Sequence, residues 1–172
     1  MGNRIKIFVD RWLSRILIGL MAFSVLNVLW QVLTRFILKH PSSYTEELAR
    51  FLLIWVGMLG AAWASGQKMH LAIDYFTLKM KPDLQRFVGL FIQVVVFLFA
   101  LFVMVIGGLR LVTITLALNQ TSAALQIKLG YVYAVVPISG VLIMFYAVML
   151  FSDYLRGGVQ AIAGAEGNDG SN

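Results

Sequence analysis

Two adjacent glutamates and an arginine open a strongly apolar segment of this sequence, and their types and spacing make them candidates for chemistry: Glu46, Glu47 and Arg50. Carboxylates inside a membrane carry protons or coordinate cations, whereas at the start of a helix they stabilise its positive end. In that second role Thr45 would act as the N-cap, and Glu46 would pair with Arg50 one turn later. The location of this helix decides between the two roles.

The composition indicates that the chain lies in a membrane. Of its 172 residues 60% are hydrophobic and 13% are charged, with a mean hydropathy of +0.84. Soluble domains average about 45–50% apolar and about 25% charged residues. The absence of cysteine excludes disulfides and thiolate metal sites. The net charge of +6 comes from basic residues that flank apolar segments, so it predicts a membrane topology signal and no nucleic-acid partner.

Four apolar segments are long enough to cross the hydrocarbon core of a bilayer as helices. We place them at about 16–38, 48–64, 88–110 and 131–155. The sequence therefore predicts an all-α integral membrane protein with four transmembrane helices in a single domain, 1–156. The Gly-rich stretch 157–172 is expected to be a short disordered tail. Pro137, in the fourth segment, should leave the Tyr133 carbonyl without its helical partner and bend the helix.

The placement of lysine and arginine predicts the orientation, because cytoplasmic loops are enriched in these residues. With both termini in the cytoplasm, that side holds nine of the 14 basic residues: Arg4, Lys6, Arg11, Arg15, Lys68, Lys79, Lys81, Arg86 and Arg156. The opposite side holds the other five: Arg35, Lys39, Arg50, Arg110 and Lys128. This bias favours cytoplasmic termini and an outward-facing pair of glutamates.

The segment between the second and third spans has an amphipathic pattern. Apolar residues alternate there with polar and charged ones, which include His70, Asp74, Lys79 and Lys81. A short amphipathic helix lying at the membrane interface, with its lysines among the lipid head groups, would suit this pattern. The alternative is an irregular loop with snorkelling lysines.

No motif for catalysis or cofactor binding is present. The sequence lacks a phosphate-binding loop, a dinucleotide-binding fingerprint and the zinc-protease helix motif. His40 and His70 fall on opposite sides of the predicted membrane, so they cannot share a metal ion. No carboxylate lies near the middle of a span, which argues against a proton or cation pathway. We predict that the chain is not an enzyme and binds no cofactor.

The polar and small residues of the first two spans are suited to helix packing. Asn27, Gln31 and Arg35 recur every four residues and so share one face of the first helix. In lipid such a stripe requires hydrogen-bonding partners, either within this chain or in another one. Gly57 and Ala61 permit the close approach of a second helix, although this spacing is common in membrane helices.

Residues 44–76, YTEELARFLLIWVGMLGAAWASGQKMHLAIDYF, resemble the small permease subunit of TRAP (tripartite ATP-independent periplasmic) transporters. The matching positions are an acidic pair, an arginine, a tryptophan, a small residue and a His-to-Asp turn: Glu46, Glu47, Arg50, Trp55, Gly57, His70 and Asp74. The stretches NVLWQVLTRFIL and SAALQIKLGYVYAVVPISGVLI agree as well, so the likeness covers nearly the whole chain. One departure is Ser122-Ala123, where many members carry Ser-Pro.

This resemblance implies a function as well as a fold. In the family, a large permease subunit holds the substrate and sodium sites and is thought to move as an elevator. A periplasmic binding protein delivers the substrate, and the small subunit braces the scaffold in the bacterial inner membrane. We therefore expect a role in sodium-driven uptake of an organic acid of the sialic acid or C4-dicarboxylate class, with sodium coupling on the large subunit.

The alternative function is a membrane anchor or assembly subunit of an unrelated complex. On the transporter interpretation, eight residues are candidates for contact with the large subunit or the binding protein: Asn27, Gln31, Arg35, Glu46, Glu47, Arg50, Trp55 and Gly57. The predicted interfacial helix would contact membrane lipids instead.

Overall fold

The structure is a computed structural model that describes residues 2–37, 43–67 and 82–155. Over these ranges the chain is almost entirely helical and has no β-strand, and four helical stretches are long and apolar enough to cross a membrane. The prediction of an all-α integral membrane protein with four transmembrane helices is therefore confirmed. Two predicted features lie outside the described residues: the tail 157–172 and the interfacial helix with His70, Asp74, Lys79 and Lys81.

The described residues form seven helical elements. These are α1 (Gly2–Phe36), α2 (Ser43–Gly66), α3 (Pro82–Phe99), a π-helix (Ala100–Gly107), α4 (Gly108–Ala117), α5 (Leu129–Tyr133) and α6 (Val135–Leu155). The third span is one continuous helical rod made of α3, the π-helix and α4, and the fourth consists of α5 followed by α6.

The four spans pack in an open series and do not close into a ring. α1 packs chiefly on α2, α2 also packs on α6, and α6 packs on the third span. Within the described part of α1, the buried side chains are Leu13, Asn27 and Thr34. Their spacing in multiples of seven residues places them on one line that faces α2. Most of α1 is exposed and apolar, as expected of a helix that meets lipid or another subunit.

Tyr146 of α6 lies at the centre of the core. Its side chain is fully buried and packs with Leu59 of α2 and Val135 of α6. Its hydroxyl donates a hydrogen bond of 2.5 Å to the Asp10 carboxylate of α1, which gives this buried polar group a partner. A Cβ at Gly66 would lie 2.5 Å from the tyrosine ring, so the ring occupies space that only glycine leaves open. Three helices are therefore joined at this one side chain.

The fourth span is interrupted near Pro137, as the sequence predicted. α5 ends at Tyr133 and α6 begins at Val135, with Ala134 between them. Pro137 has no N–H to donate to the Tyr133 carbonyl, and this accounts for the interruption one turn earlier. Gly108 of the third span lies beside the proline, where a Cβ would come within 3.0 Å of the proline Cδ.

The π-helix in the third span is a feature that the sequence did not predict. Its eight residues are apolar apart from one glycine, and they are compatible with an ordinary α-helix. It packs closely on α6, where a Cβ added to Gly140 would lie 2.7 Å from the Cβ of Met104. The π-helix and the α5–α6 interruption thus both lie at the contact between the third and fourth spans.

This contact generates a stability prediction. Gly140→Ala should push α6 away from the π-helix. The new methyl group would meet the Cβ and the carbonyl carbon of Met104, and these atoms cannot move aside as the end of a flexible side chain could. We expect the free energy of unfolding to fall by about 1–3 kcal/mol, as is usual for overpacked sites. Reversible unfolding in mixed detergent micelles, followed by circular dichroism, would measure it.

Gly60→Ala in α2 is the matched control. No atom lies within 4 Å of a Cβ built at Gly60, so the substitution should be neutral, or stabilising by up to about 1 kcal/mol through helix propensity. Equal stabilities of the two variants would contradict the close contact between α6 and the π-helix.

Candidate functional site

The Glu47 carboxylate binds the loop that connects the third and fourth spans. One of its oxygens accepts the backbone N–H of Ala123 at 3.1 Å, and the other accepts those of Ala124 and Leu125, both at 2.8 Å. Hydrogen bonds to an ionised acceptor are stronger than those between neutral groups. Glu47 therefore fastens the start of α2 to a segment that lies 76–78 residues further along the chain.

The loop itself, residues 118–128, folds into a closed turn whose N–H groups converge on that carboxylate. The Ser122 N–H donates to the Ile127 carbonyl at 2.9 Å, which closes the turn. Asn119 and Gln126 adopt left-handed backbone conformations, with φ of 49° and 53°. Such a conformation is unfavourable for a residue with a Cβ, so it persists only where surrounding contacts support it. The hydrogen bonds to Glu47 provide that support immediately before Gln126.

Glu46 has a different role from its neighbour. Its carboxylate pairs with Arg50 at 3.0 Å, one turn along α2, and about two thirds of each of these side chains is exposed. An exposed pair of this kind contributes about 0.2–1 kcal/mol. The predicted pairing is confirmed, but the prediction that Thr45 is the N-cap is wrong, because α2 begins at Ser43 and Thr45 lies inside its first turn.

The residues of the predicted stripe on α1 point in different directions. Asn27 is buried, and its side-chain amide donates a 2.8 Å hydrogen bond to the backbone carbonyl of Thr45. Asn27 therefore joins α1 to the start of α2 within this chain. Gln31 is half-buried and Arg35 is exposed. The four-residue spacing places the three side chains on the same broad side of α1. Only Asn27, at one edge of that side, meets α2.

The exposed side of α2 has a polar end and a small, apolar middle. Glu46 and Arg50 are followed along this side by Leu53, Gly57 and Ala61, all of them exposed. We call these five residues the open face of α2. No atom lies within 4 Å of a Cβ built at Gly57. Among the described residues, no neighbouring helix therefore requires a glycine at this position.

Trp55 differs from the other candidate residues of α2. It is half-buried and packs against the core cluster around Leu59 and Tyr146. The candidate residues thus fall into two groups. Asn27, Glu47 and Trp55 contact other helices or the loop, whereas Arg35 and the open face of α2, including its Glu46–Arg50 pair, are exposed and available to another molecule; the half-buried Gln31 falls between the two groups.

The described residues contain no cluster of side chains suited to a metal ion. No group of three His, Asp or Glu side chains lies close enough there to hold a metal ion. A cavity of about 210 Å³ lies between α3 and α6, and its exposed lining is apolar. Gln93, Phe97 and Phe151 are among the residues around it. Such a cavity can accept an apolar chain but has no group to bind a charged substrate.

The loop 118–128 is the part of the site that sequence reasoning missed. Polar residues after the third span indicated a loop, but no pattern connected that loop to Glu47. Its contribution consists of three backbone N–H groups, and every residue except proline carries one. Side-chain types therefore hold no signal that would have identified the pairing.

These features define a multi-pass helical membrane protein in which Asn27 and Glu47 hold neighbouring segments of the chain together. Residues 24–157 match the family model of the tripartite ATP-independent periplasmic transporters, DctQ component, and the chain belongs to that family. The resemblance seen in the sequence is confirmed. So is the prediction that the chain is a transport component and not an enzyme.

Three curated relatives support this assignment. The sialic acid TRAP transporter permease protein SiaT of Haemophilus influenzae is 31% identical over 138 residues, which are 80% of this chain and 21% of that protein. The sialic acid TRAP transporter small permease protein SiaQ of Vibrio cholerae is 35% identical over 91 residues, which are 52% of this chain and 53% of SiaQ. A putative TRAP transporter small permease protein of H. influenzae is 26% identical over 136 residues, or 79% of this chain and 83% of the relative.

The contacts of Glu47 lead to a prediction about loop order. Glu47→Gln removes the charge that attracts three consecutive N–H groups, so the loop 118–128 should open more often. We expect faster hydrogen–deuterium exchange at the amides of Ala123, Ala124 and Leu125, with unchanged exchange in α6 around Tyr146. Mass spectrometry of peptic peptides from the protein in nanodiscs would measure both.

Glu46→Gln is the control, because it removes the same charge one residue away. Its carboxylate makes an exposed pair with Arg50 and no hydrogen bond to the loop. Exchange in the loop should therefore match that of the unaltered protein. Equal acceleration in both variants would mean that overall charge, and not the Glu47 hydrogen bonds, keeps the loop closed.

Proposed function

We propose that this chain is the small permease subunit of a TRAP-type secondary transporter and braces the large permease subunit in the membrane. The open face of α2 carries this proposal. Its middle consists of Gly57 and Ala61, which allow a second helix to approach closely and are exposed among the described residues. The same face ends in a charged pair, Glu46 and Arg50, that can orient a partner.

The lengths of the relatives support a larger partner. The region of SiaT that is similar to this chain makes up 21% of that permease, so in SiaT it is joined to a much longer polypeptide. The chain covers 83% of a relative that is named as a small permease protein. Membership of the family also argues against an anchor for an unrelated complex.

In this proposal the large subunit performs the transport chemistry. Sodium coupling requires oxygen ligands grouped around an ion, and broken helices usually supply them in secondary transporters. The described residues of this chain contain no group of carboxylates that could do so. A periplasmic binding protein would deliver the substrate to the complex. Two of the relatives are named for sialic acid, so we favour sialic acid over a C4-dicarboxylate as the substrate.

We further propose that the complex lies in the bacterial inner membrane with both termini of this chain in the cytoplasm. The distribution of basic residues supports this orientation. The start of α2 and the loop 118–128, which together form the Glu47 end of the protein, then face the periplasm. The binding protein would approach from that side.

Uptake by reconstituted proteins tests the proposed function. Liposomes with this chain alone should not take up sialic acid, whereas liposomes with both permease subunits, binding protein and an inward sodium gradient should. Gly57→Leu should reduce both the recovery of the two-subunit complex and its uptake severalfold, because the larger side chain prevents close approach of the partner helix. The preference between sialic acid and a competing dicarboxylate should not change.

Gly19→Leu on α1 is the control, since no atom of the chain lies within 4 Å of a Cβ there either. It should leave the complex and its uptake intact. Uptake by the chain alone would contradict the scaffold role. A changed substrate preference in Gly57→Leu would mean that this subunit helps to form the substrate site.

Single cysteines in this cysteine-free chain test the orientation. Ser43 and Gln120 are exposed at the Glu47 end, and Ile5 is exposed near the start of α1. A membrane-impermeant thiol reagent added to the periplasmic side should label Ser43→Cys and Gln120→Cys but not Ile5→Cys. Labelling of Ile5→Cys alone would invert the proposed topology.

A further inference from the structure

Arg110 is an exposed cation on the apolar surface of the third span. It lies in α4, seven residues before the helix ends at Ala117, which corresponds to about 10 Å along the axis. The surrounding side chains Ile106, Leu109 and Ile114 are apolar and about half exposed. No carboxylate among the described residues forms a salt bridge with Arg110.

Arg50, at the same end of the protein, has a counter-ion that Arg110 lacks among the described residues. Arg50 lies seven residues after the start of α2 at Ser43, so the two arginines are equally far from the Glu47 ends of their helices. Arg50 has its own counter-ion, since Glu46 pairs with it at 3.0 Å. A charge within a membrane span requires a partner, and Arg110 must find its partner outside the described residues.

The depth of Arg110 points to the lipid head groups. The helical rod of the third span runs from Pro82 to Ala117 and is about 54 Å long. If it is centred, it exceeds a hydrocarbon core of about 30 Å by about 12 Å at each end. The backbone of Arg110 then lies about 2 Å outside the edge of the core, at the level of the lipid head groups, and its long side chain can reach their phosphates.

We propose that Arg110 binds the phosphate of an anionic phospholipid in the leaflet at the Glu47 end, with the acyl chains lying along Ile106, one turn nearer the middle of the membrane. A guanidinium group matches the geometry of a phosphate through paired hydrogen bonds. A carboxylate of a partner subunit is less suited to this place. Interfaces between membrane helices are rich in small residues, as the open face of α2 is, whereas large aliphatic side chains surround Arg110. The proposal requires that the chain spans a bilayer, but not that it serves in transport.

Lipid-dependent fluorescence quenching tests this site. Ile106→Cys introduces a single thiol one turn from Arg110 on the side of the hydrocarbon core, and a fluorophore on it can be quenched by brominated lipids in nanodiscs. With Arg110 present, brominated phosphatidylglycerol should associate near the label about fivefold more strongly than brominated phosphatidylcholine. Arg110→Leu should reduce this ratio to about one, and Arg110→Lys should retain part of it.

Arg50→Leu in the same labelled protein is the matched control, because it removes an equal charge at an equal depth from an arginine that already has a counter-ion. The lipid preference near the label at position 106 should remain unchanged. Inorganic phosphate should also leave the preference as it is, compared with chloride at the same ionic strength. Circular dichroism of each variant verifies that its helices are intact.

Three results would overturn the proposal. The first is an absence of lipid preference in the protein with Arg110, or an equal preference in Arg110→Leu. The second is a selective loss of the preference when inorganic phosphate is added, since the site would then bind the free ion. The third is protection of the label from both brominated lipids when the large permease subunit is bound, because a protein group would then cover Arg110.

Discussion

The Glu47 carboxylate accepts three consecutive backbone N–H groups, and the arrangement of one whole end of the protein depends on them. They keep the loop 118–128 against the start of α2, and that loop determines where the third span ends and the fourth begins. The acceptor is a carboxylate, and hydrogen bonds to an ionised group are stronger than those between neutral groups, so they can hold the loop at this exposed end. At the same end, the hydrogen bond from Asn27 to the Thr45 carbonyl adds α1 to the assembly.

The opposite end is joined by different means. Tyr146 buries its ring between helices, and its hydroxyl donates a hydrogen bond to Asp10. One side chain thus combines apolar packing with a polar contact. Between the two ends, Gly108 and Gly140 let the third span approach α6 closely. Lipid tails are as apolar as leucine, so helices in a membrane gain little from burying apolar surface alone. Close contacts at glycine and a few hydrogen bonds therefore determine which helices are neighbours.

The open series of helices explains why so much of the protein is exposed. α1 has one main neighbour, and its buried residues form a single line. The small residues of the open face of α2, Gly57 and Ala61, are likewise exposed in the part of the chain that the structure describes. For a subunit that works alone these surfaces would have no purpose beyond meeting lipid. For a subunit that braces a larger one, an open series offers a broad surface to the partner and to the bilayer at once.

The sequence by itself determined the class of this protein, the number of its spans, its family and its lack of a catalytic motif. These properties follow from the length and hydropathy of local segments and from motifs that lie within single segments. The exposed pair of Glu46 and Arg50 was predictable for the same reason, since four-residue spacing on a helix suffices to bring the two side chains together.

Only the tertiary structure decided how the helices are arranged and what most of the candidate residues do. It separated Glu47 from Glu46, turned Asn27 inward and Arg35 outward, and brought Gly140 of the fourth span against the π-helix. Each of these outcomes depends on a partner far away in the chain, and in the case of Glu47 on backbone N–H groups that nearly every residue possesses. Local spacing places a side chain on a face of a helix, but the neighbour of that face is set by packing between distant segments.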